Sequence, residues 1–249
     1  MSARNSSKGA LVSEARAIFR AVADGFAIKD LRQACVAGHL LRHPAMETRR
    51  HIWNSLRHRY LAWGPPVWVV ADLADAASGE SRSRIFTGLA YLHYARRDRL
   101  TFDFVTEWLW GVWREKNLAV TRDDVLDFIT EYEHRDAAVR RWRDSTRLKL
   151  AGNVLSALRD FGLFTGVQRK VLQRPQVPLE VVLHLCRLLD AEGLRGRSLL
   201  DAVDWRLFLF EAHDVSQALA QLAQRRDIHF EKSGRTTVLD LVRHPLDHE

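Results

Sequence analysis

Apolar residues recur along this chain at three- and four-residue spacing far more often than they alternate, and that period predicts helices. Leu11, Ala15, Ile18, Phe19 and Val22 mark a first helix over 10–23, ended by Asp24-Gly25. A second, short one starts near Ile28, carries Leu31, Ala34 and Cys35, and closes around Gly38. The third runs over 45–62 with Ile52, Trp53, Leu56 and Tyr60 as its stripe. Three helices, the second short and the third basic, give a helix-turn-helix-like order. Gly64-Pro65-Pro66 then breaks the chain.

Beyond that break the spacing predicts helices over 68–77 and 84–94, then a segment dense in aromatics over 100–113. Its Phe102, Phe104, Trp108, Trp110 and Trp113 sit at helical spacing and read first as core, with stacking on exposed bases as the rival use. Thr121-Arg122-Asp123-Asp124 opens a helix over 125–133, with acids in the first turn where the helix dipole favours them. After Gly162 the period changes. Residues 164–167 and 170–172 read as extended, bounded by Pro175 and Pro178. Helices over 179–189 and 213–225 follow, and the apolar run 205–210 fits either a strand or a helix end. Ile228-His229-Phe230 and Val238-Leu239 flank Ser233-Gly234-Arg235 as a hairpin, whose Lys232 and Arg235 would sit on a wing. The expected fold is mainly α: a helical bundle with a helix-turn-helix-like amino-terminal part and a carboxyl-terminal winged element, a small β-hairpin. The expected divisions are 1–64, 65–175 and 176–249.

The most informative stretch runs from Trp142 to Gly166. Asp144 or Ser145 is placed to cap a helix, and Leu148, Ala151, Leu155 and Leu158 give it an apolar stripe, widened by Leu150, Val154, Ala157 and Phe161. Gly162 ends it. Arg140, Arg141, Arg143, Arg147 and Lys149 gather at its amino end, where unpaired amides and cations together suit a phosphate. The pattern has an echo in Thr48-Arg49-Arg50, followed by Arg57 and Arg59. Each is equally a packed helix with a solvated basic end.

Composition sharpens this only mildly. The 249 residues are 47% hydrophobic and include eight Trp, as expected of a folded globule. The balance of 38 basic against 31 acidic residues gives +7, which favours an acidic partner. Six Lys leave nearly all of that positive charge to Arg. Two distant cysteines, Cys35 and Cys186, exclude a disulfide framework and read as buried thiols. No apolar run reaches membrane-spanning length and the amino end lacks a signal-peptide core, so a soluble, cytoplasmic protein is expected. Phosphate loops of Walker type, dinucleotide-binding glycine motifs, HExxH and nucleophile elbows are all missing. His39 and His43 lack a third metal ligand nearby. Asp123, Asp124, Asp201, Asp204 and Glu211 invite a nuclease reading, but the Lys expected beside such acids is scarce. No metal, cofactor or catalytic residue is expected.

Two segments carry a family resemblance. Thr48-Arg49-Arg50 leading into Arg57-His58-Arg59-Tyr60-Leu61, and Trp142 through Ala151 leading into Leu158-Arg159-Asp160-Phe161-Gly162-Leu163, resemble the hallmark segments of the BrxA family. BrxA proteins are small components of the BREX bacteriophage-exclusion systems. The helix over 11–25 and the segment Arg97 to Val105 fit the same family, so the resemblance covers most of residues 10–175. It implies a non-enzymatic, mostly helical protein with a NusB-like fold that binds double-stranded DNA beside other BREX proteins. On this reading DNA binding rests on Arg49, Arg50, Arg57 and Arg59, and on Arg141, Arg143, Arg147 and Lys149, with hydroxyl contacts from Thr48, Ser145 and Thr146. It is mainly sequence-independent, with no membrane partner. The alternatives are an adaptor that docks on another defence component and an RNA-binding NusB-like factor.

Overall fold

The computed structural model describes residues 8–80, 83–166, 170–233 and 236–241, and all their side chains except those of 232, 233, 236 and 237. Val12–Ala23 (α1), Leu31–Ala37 (α2) and Met46–Tyr60 (α3) open the chain in the expected order. The connection between α2 and α3 spans 38–45, longer than the roughly three- to four-residue turn of a helix-turn-helix. Val67–Ala77 (α4), Ser83–Arg96 (α5) and Arg99–Asp103 (α6) follow. A wider π-type turn, Phe104–Leu109, then leads into Trp110–Glu115 (α7). Next come Ala119–Val120 (β1), Arg122–Tyr132 (α8), Ala137–Arg140 (α9) and Asp144–Asp160 (α10). Phe164–Thr165 (β2), Lys170–Leu172 (β3), Leu179–Ala191 (α11), Gly196–Leu200 (α12) and Ala212–Gln224 (α13) lead to the hairpin Ile228–Ser233 (β4) and Thr236–Leu241 (β5).

The protein is thus mainly helical with a small carboxyl-terminal antiparallel hairpin, in register from Ile228 opposite Leu241 to Ser233 opposite Thr236. Its expected turn residues, Gly234 and Arg235, and the side chain of Lys232 lie outside the described part. Three short elements escape the spacing: β1, α9 and α12. The first is drawn into an antiparallel sheet of order β1-β3-β2, whose β2–β3 half is the pair of extended segments expected after Gly162. The ambiguous run 205–210 is mostly a 3-10 turn, Val203–Phe208.

Buried residues from Ala10 to Leu239 form one contiguous core, shared by the three stretches 1–64, 65–175 and 176–249. The aromatic segment joins it: Phe104 is fully buried and stacks on Trp108 at 5.3 Å, while Phe102, Trp110 and Trp113 pack partly buried against the same core. Cys35 and Cys186 are buried free thiols, and burial pushes both up to about 12. No helix among the described residues is long and apolar enough to cross a membrane.

Two features of this core set its stability. The first is a close crossing of α5 and α11 at Gly88, where a Cβ would stand 2.8 Å from Cγ2 of the buried Val181. The second is a polar chain through the interior: His93 Nε2 meets His184 Nε2 at 2.9 Å, and His184 Nδ1 meets Asp72 Oδ2 at 2.6 Å. With the proton of His184 on Nδ1, its Nε2 accepts from the Nε2–H of His93, which leaves the His184 ring neutral. Burial, reinforced by His184 and then by Arg96 and Arg97, holds His93 well below the usual imidazole range. Burial also lowers His184, against the opposing carboxylate of Asp72.

Replacing Gly88 by Val should therefore lower unfolding stability by about 1–3 kcal/mol, since valine at 181 has no rotamer freedom with which to yield. Urea titration of the purified variant reads this directly. Depressed folded-state pKa values also mean that below pH ~6.5 the unfolded chain takes up protons that the native chain refuses. Stability is complete above that pH and falls as pH drops, by up to about 1.4 kcal/mol per pH unit for each imidazole held neutral. Melting curves between pH 7.5 and 5 check the sign.

Candidate nucleic-acid interface

The arginines at the starts of α3 and α10 divide into two groups with different jobs. Arg49 turns inward: Nε donates to the carbonyl of Val36 at 2.8 Å, and Nη1 to those of His43 and Pro44. Its guanidinium thus closes the end of α2 and the loop into α3. Arg147 repeats the move on α10. It pairs with Glu133 and donates to the carbonyls of Trp142 at 3.2 Å and Val139 at 3.4 Å. Arg59 is 0% exposed; Nη1 and Nη2 donate to the carbonyls of Ala10 (3.0 Å), Lys8 (2.7 Å) and Gly9 (3.0 Å). Its cation lies 4.7 Å over the ring of Tyr94. These three cations are committed to the protein's own backbone, and Arg59 in particular has no surface from which to reach a ligand.

Periodicity carried a signal for this. Counting three, four and seven residues on from Arg49 gives the buried Ile52, Trp53 and Leu56, and from Arg147 gives Leu150, Ala151 and Val154. Arg59 stands one turn after Leu56. All three sit on apolar stripes, where a long cation reaches inward to carbonyls. The echo of Thr-Arg at 48–49 and 146–147 is therefore a repeated loop clamp.

The remaining cations face water. Arg50 is exposed with a 3.4 Å ion pair to Glu47, and Arg57, one helical face away from the stripe, forms no ion pair among the described residues. Around the elbow between α9 and α10, Arg140, Arg141, Arg143 and Lys149 are exposed and likewise unpaired among the described residues. Asp144 is the acid beside them. The capping assignment shifts here: Arg143, not Asp144 or Ser145, is the N-cap residue, and no side chain caps the helix. The positive end of a 17-residue dipole thus opens into the cationic elbow. Ser145 is exposed beside it and Thr146 half-buried. Leu148, expected in the buried stripe, is instead 45% exposed, because the apolar face begins at Leu150 and Ala151. At its other end α10 closes as expected: Gly162 takes φ 87°, with Gly162 N–H donating to Arg159 and Leu163 N–H to Leu158, both at 2.9 Å.

The candidate nuclease acids do not converge. Asp124 closes a capping box with Thr121, Asp204 pairs with Arg96 at 2.8 Å, Asp201 with Arg197 at 3.1 Å, and Glu211 begins α13. His43 bonds Glu14 at 3.3 Å. Among the described residues no three His, Cys, Asp or Glu side chains gather as a metal site.

Comparison with known proteins now places the chain. The family model described as BrxA matches residues 2–188. The chain belongs to the BrxA family. It is accordingly a component of a BREX defence system, and this family is not known as a catalytic enzyme. No curated protein matches the chain. Among solved structures it is similar to an uncharacterized protein from Magnetospirillum magneticum, with a TM-score of 0.63 and 18% identity over 84% of this chain and 99% of that one. That likeness shows a shared fold.

The division of arginines is testable by stability alone. Arg147→Ala should cost about 2 kcal/mol through the lost charge-assisted bonds, while Arg141→Ala and Arg143→Ala should stay within about 0.5 kcal/mol of the parent. Parallel thermal melts of the three variants decide it.

Proposed function

We propose that this BrxA-family protein is a non-enzymatic, cytoplasmic accessory component of its BREX system that binds double-stranded DNA, mainly through sequence-independent phosphate contacts. The observation that carries this reading is the α9–α10 elbow, where Arg140, Arg141, Arg143 and Lys149 stand exposed around an uncapped helix start. Forked guanidinium donors and a positive helix end suit phosphate oxygens, and such contacts fix position without reading bases. Ser145 and Thr146 add hydroxyls at the same helix start. Arg50 and Arg57 on α3 supply a second exposed cationic face. Arg49, Arg59 and Arg147 drop out of the proposed contact set, because their donors already serve the chain.

One feature favours a second reading. Leu148 exposes an apolar side chain within the basic face, which suits a protein partner better than a phosphate backbone. On that reading the elbow docks onto another BREX protein. For an RNA-binding reading the aromatic segment gives no stacking platform, since it is packed against the core.

The double variant Arg141→Glu, Arg143→Glu should bind a random-sequence duplex about tenfold or more weaker at low salt, with helical content and melting temperature held. Fluorescence anisotropy provides the affinity and circular dichroism the control. Unchanged affinity in the folded variant would remove the elbow from the DNA reading.

A further inference from the structure

One face of α5 opens onto a pocket of about 350 Å³, none of whose walls comes from α3. Ser83, Thr87 and Tyr91 recur every four residues, and Arg84 and Gly88 fall beside them, so a single helical face supplies all five. The turn that ends α10 adds Asp160, Phe161 and Gly162, and the loop from Gln173 to Val177 and Phe208 complete the lining. The basic elbow stands at the other end of the 17-residue α10, about 24 Å away along its axis.

The lining combines rings with hydrogen-bonding groups, as small-molecule sites do. Tyr91 packs against Phe161 at 5.3 Å and Phe208 at 5.7 Å, and its hydroxyl is spent on the carbonyl of Leu207 at 2.8 Å. The polar groups offer more donors than acceptors. Arg84 is exposed and forms no ion pair among the described residues. Arg174 commits Nη1 and Nη2 to Asp214 and the carbonyl of Leu209, but its buried Nε has no partner. The amides of Gln176 and Val177 donate to no carbonyl among the described residues. A buried donor without an acceptor costs free energy, which an acceptor brought to this wall recovers. The 14-residue α5 begins at Ser83, so the positive end of its dipole meets the same space. Acceptors are fewer. Asp160 gives Oδ1 to Arg159 at 3.0 Å and keeps Oδ2, while Gln173 ties Nε2 to the carbonyl of Gly162 at 3.0 Å and keeps Oε1.

We propose that this pocket is a binding site for a nucleoside monophosphate. The phosphate takes Arg84 and the unpaired donors at the start of α5 and in the 174–177 loop. The ring packs against the aromatic and glycine part of the lining, and Asp160 Oδ2 and Gln173 Oε1 accept from sugar hydroxyls or a base amino group. The volume lies near the lower end of small-molecule sites, which suits one nucleotide and excludes a strand. This site stands whether or not the elbow binds DNA.

The test is isothermal titration of the full chain with AMP, GMP, CMP and UMP, beside adenosine and inorganic phosphate. At least one monophosphate should bind the parent at a single site, more tightly than either adenosine or phosphate alone. Arg84→Ala should weaken that binding about tenfold, the worth of one charge-assisted bond, and leave the melting temperature unchanged because the side chain is exposed and unpaired. Gln176→Trp, at an exposed position in the loop, narrows the pocket and should weaken it as much. Arg141→Glu, Arg143→Glu should bind the nucleotide like the parent. No binding of any of the four at millimolar concentration overturns the proposal, and so does parent-like affinity in both folded pocket variants. Inorganic phosphate binding as tightly as the nucleotide reduces the site to a bare anion seat and overturns it too. Loss of nucleotide binding in the elbow variant moves the ligand to the elbow and overturns the pocket.

Discussion

Guanidinium donation to loop carbonyls is the interaction on which this fold most depends. A buried or half-buried carbonyl needs a partner, and irregular chain supplies few. Arginine brings five donors in a fixed plane on a long apolar stem, so one side chain can serve several carbonyls at once. Arg49 closes the loop between α2 and α3, Arg147 the turn between α9 and α10, and Arg59 the chain ahead of α1. Each sits on the apolar stripe of its own helix; Arg49 and Arg147 tie that helix to the segment before it, and Arg59 ties α3 to the chain ahead of α1.

The same ties create the exposed basic surfaces. Because Arg147 anchors the α9–α10 turn, its neighbours Arg141 and Arg143 are held outward, beside a helix end that no side chain caps. Because Arg59 anchors the backbone at 8–10, Lys8 stays beside the cleft that Arg57 also lines. Structural and solvent-facing arginines are thus interleaved in sequence and separated in space. In this arrangement inward clamps give rigidity, and outward cations give long-range attraction that weakens with salt.

Much of this was legible in the chain. The helical period located the main helices, its change after Gly162 and the Gly and Pro turns located the extended pair at 164–172 and the hairpin, and the Thr121 to Asp124 start is the capping box that its residues suggest. The Thr-Arg segments carried the family resemblance, which the family match supports. Three kinds of information were not local. The strand at Ala119–Val120 exists because Lys170–Leu172 pairs with it, and two residues have no period to read. Leu148 looked buried by spacing, but it is 45% exposed, and the buried face of α10 begins at Leu150 and Ala151. Charge alone also grouped Arg49, Arg59 and Arg147 with the exposed cations. Their position on the apolar stripe was the discriminating fact, and it outweighs residue type.

The measurement that bears most directly on the central claim is the salt dependence of the intact protein's affinity for a random-sequence DNA duplex. Binding by the exposed elbow cations implies that log affinity falls linearly with log salt, with a slope of about −0.9 for each phosphate neutralised and so about −3 or steeper overall. A slope near zero, or no binding at the lowest salt tested, would contradict a phosphate-contact protein and transfer the elbow to a protein partner.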